Sequence, residues 1–278
     1  MGGIGRTERE AGTAVAEGYT PTGTAMKKLV KSVASYLGMD RKSPRYLRRQ
    51  YPEATPEDIE LIVSLLPYTR TPPARLWALL QSVRYVVKRQ ITGDFVECGT
   101  WRGGSSMAAA IALKRAGDTT RTLWLYDTFE GMPRPTKHDV LVKDGRAAID
   151  AWTRLQKGTD GSSWMEVDLG EVRFNMASTG YPVDKMRFVK GKVEETLLVA
   201  GNVPEQISIL RLDTDWYSST KVEMELLLPR VVSGGVVIID DYGDWAGSKE
   251  AVDEFFANSG LSYLLNRIDK ASRLFVKA

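Results

Sequence analysis

From Gly93 onward, short apolar runs rich in β-branched residues alternate with longer stretches of helical period, and this alternation limits the fold more than any other feature. The runs are Asp94 to Cys98, Thr122 to Asp127, Met186 to Lys190, Ile207 to Asp213 and Val236 to Asp240. Near-continuous apolar strands are those buried on both faces. Parallel neighbours need a crossover of about a dozen residues or more, which the intervening segments supply. Two last runs, Ser262 to Arg267 and Arg273 to Val276, lie too close for a crossover helix and are expected to pair antiparallel. The pattern predicts an α/β chain whose sheet is open, doubly wound and mostly parallel, ending in a C-terminal antiparallel hairpin.

Upstream of Gly93 the period is helical. Leu29, Val30, Val33 and Leu37 form one stripe after Met26, with Gly38 as a stop. Thr55-Pro56-Glu57-Asp58 reads as a helix start: a capping hydroxyl, proline in the first turn, then acids favoured by the helix dipole. Pro67 ends that helix, and a third, carrying Leu76, Trp77, Leu80, Val83 and Val87, follows Thr71-Pro72-Pro73. The expected organisation is a flexible arm over 1–22, a helical region over 23–92 and an α/β domain over 93–278. The stretch from Glu130 to Val183 has little strand signal and is too long for a plain loop. It is expected to be an inserted lid, about 131–183, that holds helices and covers a site.

Composition removes several function classes. With 38 basic and 35 acidic residues the net charge is +3, too even to argue for a nucleic acid or a membrane surface as partner. No apolar run reaches the roughly 18 residues needed to span a bilayer, and the first 21 residues lack the apolar core of a secretory signal. Cys98 is the one cysteine, which excludes an intrachain disulfide and a zinc site built on several cysteines, and it fits a reducing cytoplasm. His138 is the one histidine, so a two-histidine metal site is excluded as well.

Four segments carry chemistry. In Glu97-Cys98-Gly99-Thr100-Trp101-Arg102-Gly103-Gly104-Ser105 a strand runs through a glycine-rich turn into a helix, where the backbone can approach a ligand and the helix offers free N–H groups. The spacing is neither the dinucleotide fingerprint nor a P-loop. It resembles the first motif of class I methyltransferases, in which the acid and glycines hold the amino-acid end of S-adenosylmethionine. The second strand ends at Asp127, a position that commonly accepts hydrogen bonds from a ribose diol. The two later strands end in Asp213-Thr214-Asp215 and Asp240-Asp241. Four carboxylates gathered at neighbouring strand ends would repel strongly unless a divalent cation sat among them, and all-oxygen ligation suits Mg²⁺, Mn²⁺ or Ca²⁺.

Taken in order, V-E-C-G-T-W-R-G-G-S, Y-D-T-F-E-G-M-P, L-R-L-D-T-D-W-Y-S-S-T and G-G-V-V-I-I-D-D-Y-G resemble the macrocin O-methyltransferase family, from about Tyr68 to the C-terminus. The resemblance implies a Rossmann-like methyltransferase domain over 93–278 and an S-adenosylmethionine- and Mg²⁺-dependent enzyme. Its acceptor would be a sugar hydroxyl on a glycosylated natural product. It implies that Asp213, Asp240 and Asp241 hold Mg²⁺ and that Asp215 is the base. The cofactor residues are expected to be Glu97, Gly99, Thr100, Gly103, Ser105, Asp127 and Asp213. Thr100 stands where the family usually has an aliphatic residue, a change expected to affect packing only. The expected setting is cytoplasmic, with no nucleic-acid or membrane partner. A homo-oligomer, if one forms, would use the N-terminal helices. A catechol-type phenol is the nearest alternative acceptor. An NAD-dependent oxidoreductase would share the architecture but should show G-x-G-x-x-G, and a scaffold domain would need no acids at the strand ends.

Overall fold

The computed structural model describes residues 1–2 and 42–278, so all but the first two residues of the expected arm, and the Met26 to Gly38 stripe, lie outside the described residues. The chain divides into two compact units, Met1–Tyr51 and Pro52–Ala278. In the first, helix α1 (Pro44–Gln50) starts at Ser43, whose hydroxyl accepts the Tyr46 N–H.

In the second unit, Thr55 and Asp58 form a reciprocal capping box at the start of α2 (Pro56–Leu65), which runs into a 3₁₀ turn at Leu66–Tyr68. Helices α3 (Pro73–Lys88) and α4 (Gly104–Arg115) pack against each other, and α3 also packs on the sheet. The remaining helices are α5 (Ala148–Leu155), α6 (Leu169–Ala177), the single turn α7 (Val193–Thr196), α8 (Tyr217–Leu226) and α9 (Ala246–Ser259). The strands are β1 (Asp94–Cys98), β2 (Leu123–Asp127), β3 (Gln156–Lys157), β4 (Gly161–Ser162), β5 (Met186–Lys190), β6 (Ile207–Leu212), β7 (Val231–Ile239), β8 (Asn266–Arg267) and β9 (Arg273–Val276).

Seven strands form one sheet in the order β5-β2-β1-β6-β7-β9-β8, with the first five parallel and β9 antiparallel to both neighbours. The chain winds outward from β1 to β5, then returns to the other side of β1 with β6. That reversal puts a ligand crevice at the carboxyl ends of β1 and β6. Side chains alternate across the sheet. Val96, Cys98, Leu210, Leu212, Val237 and Ile239 meet Met224 and Leu227 in the α8 region and Val252 of α9 in one apolar core. The opposite set includes Glu97 and Arg211, which are paired in register across β1 and β6.

Two strand ends differ from the sequence reading. β7 begins at Val231 rather than Val236, and two residues of β6 are matched there by five of β7. Gly234, at φ +80°, lies in this bulge, and Gly-Gly in a sequence looks like the end of a strand. At the other end only Asn266–Arg267 pair in β8, because Tyr263 and Leu265 turn onto the core, Tyr263 stacking on Phe275 at 4.7 Å.

The insertion holds α5, the β3–β4 ribbon and α6, and its first part is fastened to the loops after β6 and β7. Trp216 donates to the Pro133 carbonyl at 3.0 Å, Ala246 N–H to Val140 at 2.9 Å and Val142 N–H to Asp244 at 3.0 Å. Trp164 of the insertion packs edge-on against Trp216 at 5.6 Å, and Trp216 against Trp245 at 5.0 Å. No helix among the described residues is long and apolar enough to cross a membrane.

Candidate active site

The turn after β1 is built on close approach. Gly99 has φ +83°, and a β-carbon there would lie 1.9 Å from the Asp213 carbonyl oxygen. Gly104 opens α4 where a β-carbon would lie 2.6 Å from the Tyr68 carbonyl. Asp127, at the end of β2, clasps this turn: one carboxylate oxygen accepts the Thr100 and Trp101 N–H groups, both at 2.8 Å, and the other accepts Phe129 N–H at 2.8 Å. Burial holds the Asp127 carboxyl above the ordinary carboxylate range, and the three N–H groups offset this only in part. The expected ribose ligand therefore spends most of its acceptor capacity on the protein. Trp101, Phe129, Met165 and Asp215 all have φ between +46° and +66°, a region that side chains with a β-carbon avoid and that gathers at functional sites.

Across the cleft stand the acids of β6 and β7. Side-chain oxygens of Asp213, Asp240 and Asp241 lie within 4.8 Å of one another. The Asp215 N–H donates to Asp241 at 3.2 Å. Two guanidiniums that sequence reasoning overlooked sit behind the acids. Arg211, 1% exposed, bonds Glu97 at 2.5 Å, Asp213 at 2.7 Å, Asp240 at 2.8 Å and the Thr71 hydroxyl at 2.9 Å. Arg75 bonds Asp240, Asp269 at 2.8 Å and, at 3.5 Å, Asp244. The repulsion inferred from sequence is thus relieved in part by the protein itself. The signal for Arg211 was a lone cation inside an apolar strand. Arg75 left no signal beyond a helix position.

Five carboxylates (Glu97, Asp213, Asp215, Asp240, Asp241) still share the site with two arginines. Desolvation, then the neighbouring acids, push Asp213 and Asp241 well above the ordinary carboxylate range, with arginine charge opposing. Asp215 is pushed up to about 7, first by burial and then by Asp213. Such a cluster, compensated only in part by the two arginines and all oxygen, fits a hard divalent cation.

A cavity of about 270 Å³ lies between the turn and the acids. Gly99, Asp127, Asp213, Asp215, Asp240 and Asp241 line it together, as do Gly191, Lys192, Val193 and Glu194 after β5, which the sequence did not single out. Met132, Pro133, Trp164 and Met165 of the insertion form its cover. Glu97, Thr100, Gly103 and Ser105 are not on its surface. Glu97 is held by Arg211 and Ser106, Thr100 donates its hydroxyl to the Tyr126 carbonyl, Gly103 caps α4, and the Ser105 hydroxyl meets that of Thr71 at 2.9 Å. His138 is outside too, 2.8 Å from Glu250 and stacked on Tyr217.

Comparisons with known proteins bear on the family and the fold. Residues 19–277 match the family model for macrocin-O-methyltransferase (TylF). The 8-demethyl-8-(2,3-dimethoxy-alpha-L-rhamnosyl)-tetracenomycin-C 4'-O-methyltransferase of Streptomyces olivaceus is 34% identical over 84% of this chain and 80% of its own length. The mycinamicin III 3''-O-methyltransferase of Micromonospora griseorubida is 32% identical over 70% of this chain and 73% of its own. Among solved structures, the O-methyltransferase NovP superposes with a TM-score of 0.65 at 30% identity, over 76% of this chain and 82% of that one. The open sheet with its carboxyl-edge crevice is the fold these enzymes share, and the chain belongs to the macrocin-O-methyltransferase family, enzymes that transfer methyl groups from S-adenosylmethionine to oxygen.

Proposed function

We propose that this chain methylates a sugar hydroxyl of a glycosylated natural product, with Mg²⁺ held by Asp213, Asp240 and Asp241 and with Asp215 as the base. The observation that carries the reading is the set of three carboxylates within 4.8 Å, beside Asp215 on the wall of one cavity. The rhamnosyl-bearing substrate in the name of the Streptomyces olivaceus relative supports a sugar as acceptor. Of the residues proposed for the cofactor, Gly99, Asp127 and Asp213 face the cavity, while Glu97, Thr100, Gly103 and Ser105 hold the turn from behind.

Methyl transfer is an in-line displacement: the acceptor oxygen bonds to the methyl carbon as the carbon–sulfur bond breaks, leaving a methyl ether and S-adenosylhomocysteine. Position and deprotonation of the hydroxyl therefore set the rate. Asp213, Asp240 and Asp241 would hold a divalent cation, which would supply Lewis-acid polarisation to lower the pKa of an acceptor hydroxyl. Asp215, on the wall of the same cavity, takes the proton. The insertion over about 131–183 acts as a lid, with Trp164 and Met165 excluding water from the cavity.

The test is labelled S-adenosylmethionine with panels of glycosides and catechols, with and without chelator. Methylated glycoside and loss of turnover on metal removal are expected. Asp240→Asn should abolish metal dependence with most activity. Asp215→Asn should leave metal binding near normal by calorimetry and slow methylation by roughly 10²–10⁴. Full activity in excess chelator would sink the metal assignment, and methylation of catechols alone would replace the sugar.

A further inference from the structure

The cavity adjoins a second recess of about 540 Å³, and the two share Arg70, Trp101, Trp164 and Met165 as walls. Leu155, Ser163 and Glu166 line the recess alone. Its chemistry differs from that of the cavity. The cavity wall carries Asp213, Asp215, Asp240 and Asp241, whereas the recess has one acid, Glu166, already paired with Lys157 at 2.5 Å. Two indole rings, a thioether and Leu155, 41% exposed, stand among the polar groups of Arg70, Ser163 and Glu166. The Arg70 guanidinium lies over the Trp101 ring at 5.1 Å. Stacked this way it makes no hydrogen bond or ion pair among the described residues, so its N–H edge is free to donate. Trp101 and Met165 hold positive φ at the junction of the two spaces, a cost that persists only where the surroundings fix the side chains.

We propose that this recess binds the aglycone of the acceptor, and that the aglycone is a planar aromatic ring system bearing carbonyl or phenolic oxygens. Aromatic faces stack on a flat conjugated ring with a geometry that a puckered aliphatic ring or a chain cannot match. Arg70 donates to its oxygens from the edge of the stack. An amphipathic acceptor would then lie with its sugar toward the aspartates and its ring system between the insertion and the glycine-rich turn. The proposal rests on the sugar-acceptor reading above and adds the class of group attached to the sugar.

The test compares two glycosides of one sugar, one on a hydroxynaphthoquinone and one on a linear decyl chain. The wild-type enzyme should prefer the aryl glycoside at least tenfold in kcat/KM. Leu155→Asp, at an exposed helix end, should cut that preference about tenfold, and Arg70→Gln several-fold, with circular dichroism reporting the fold. Equal kcat/KM for the two glycosides, or a preference that both variants leave intact, overturns the proposal. If neither glycoside is methylated, the sugar reading fails on its own, and calorimetry with 1,4-dihydroxy-2-naphthoic acid reads the recess directly. Saturable binding that weakens about tenfold in Leu155→Asp supports it, and no binding, or binding that the variant leaves unchanged, overturns it.

Discussion

At Gly99 the backbone passes so near the Asp213 carbonyl that β1 and the loop after β6 can meet only because a side chain is missing. Positive φ adds to the cost of any substitution there. Gly99→Ala should lower stability by roughly 2–4 kcal/mol in denaturant unfolding and displace the Asp213 loop. A variant with wild-type stability and cofactor affinity would mean that the approach is not needed. Arg211 shows what a residue-level reading of the sequence leaves out. The acids at the strand ends were legible because each follows an apolar run, but their partner was not, since a register between strands far apart in sequence decides that Glu97 faces Arg211. Arg211→Met should destabilise the protein by about 3–5 kcal/mol, because it strands buried Glu97 without a counter-charge and leaves Asp240 with Arg75 alone. An unchanged melting midpoint would show that the acids find another partner.

At the scale of elements, α8 starts without a cap of its own, since Trp216 offers no side-chain acceptor. Asp139, fully buried in the insertion, supplies one from a distance: its carboxylate accepts the Tyr217 N–H at 2.7 Å and the Thr136 N–H at 2.6 Å. Asp139→Ala should cost about 1–3 kcal/mol in denaturant unfolding and loosen the Asp213–Asp215 loop that precedes α8. Asp139→Asn, which keeps an acceptor, should recover part of the loss. Such a cap is invisible in sequence, where capping is sought within three residues. The strands of the main sheet were the opposite case, because apolar runs of the right length announce themselves, and they were read correctly except where Gly234 bulges β7 and where Tyr263 and Leu265 turn inward; the two-residue β3–β4 ribbon, with no apolar run, was not read. On the inner face of α8, Glu223 is fully buried and accepts the Thr214 hydroxyl at 3.0 Å. Desolvation pushes its pKa well above 4.5. A folded-state pKa raised in this way favours folding below the unfolded value, and the contribution is lost as pH rises through the folded one. Glu223→Gln should therefore flatten the decline in stability above about pH 4.5, measured as unfolding free energy against pH. An identical slope in the variant would assign that decline to other groups.

For the molecule as a whole, the question is how much of the cover over the cavity moves when ligands enter. The insertion is not uniform. From Pro133 to Val142 it is tied to the loops after β6 and β7 through Trp216, Asp139, Val140 and Val142, and Trp152 of α5 donates to Met132 at 3.0 Å. Gly131 approaches the Ser162 carbonyl so closely that a β-carbon would lie 1.9 Å away, which fixes the base of the cover. From Gln156 to Asp160, by contrast, the ribbon is exposed, and β3 and β4 pair through only two residues each. Segments with few buried contacts and short ladders open at low free energy, and active-site covers are drawn from them. Ligand-dependent protection from hydrogen exchange should therefore concentrate between Gln156 and Met165, where Trp164 and Met165 meet the cavity. The amides of Val142, Ala148 and Ala246 should already exchange slowly in the free protein, because each is bonded to a neighbouring segment. The experiment is exchange followed by peptide-level mass spectrometry, in the free protein and with S-adenosylhomocysteine and acceptor together. Slowing spread evenly from Pro133 to Met165 would mean that the anchored part opens as well and that the whole insertion is the moving unit. Equal exchange with and without ligands would reduce the insertion to a fixed wall, leaving water to be excluded by the acceptor itself.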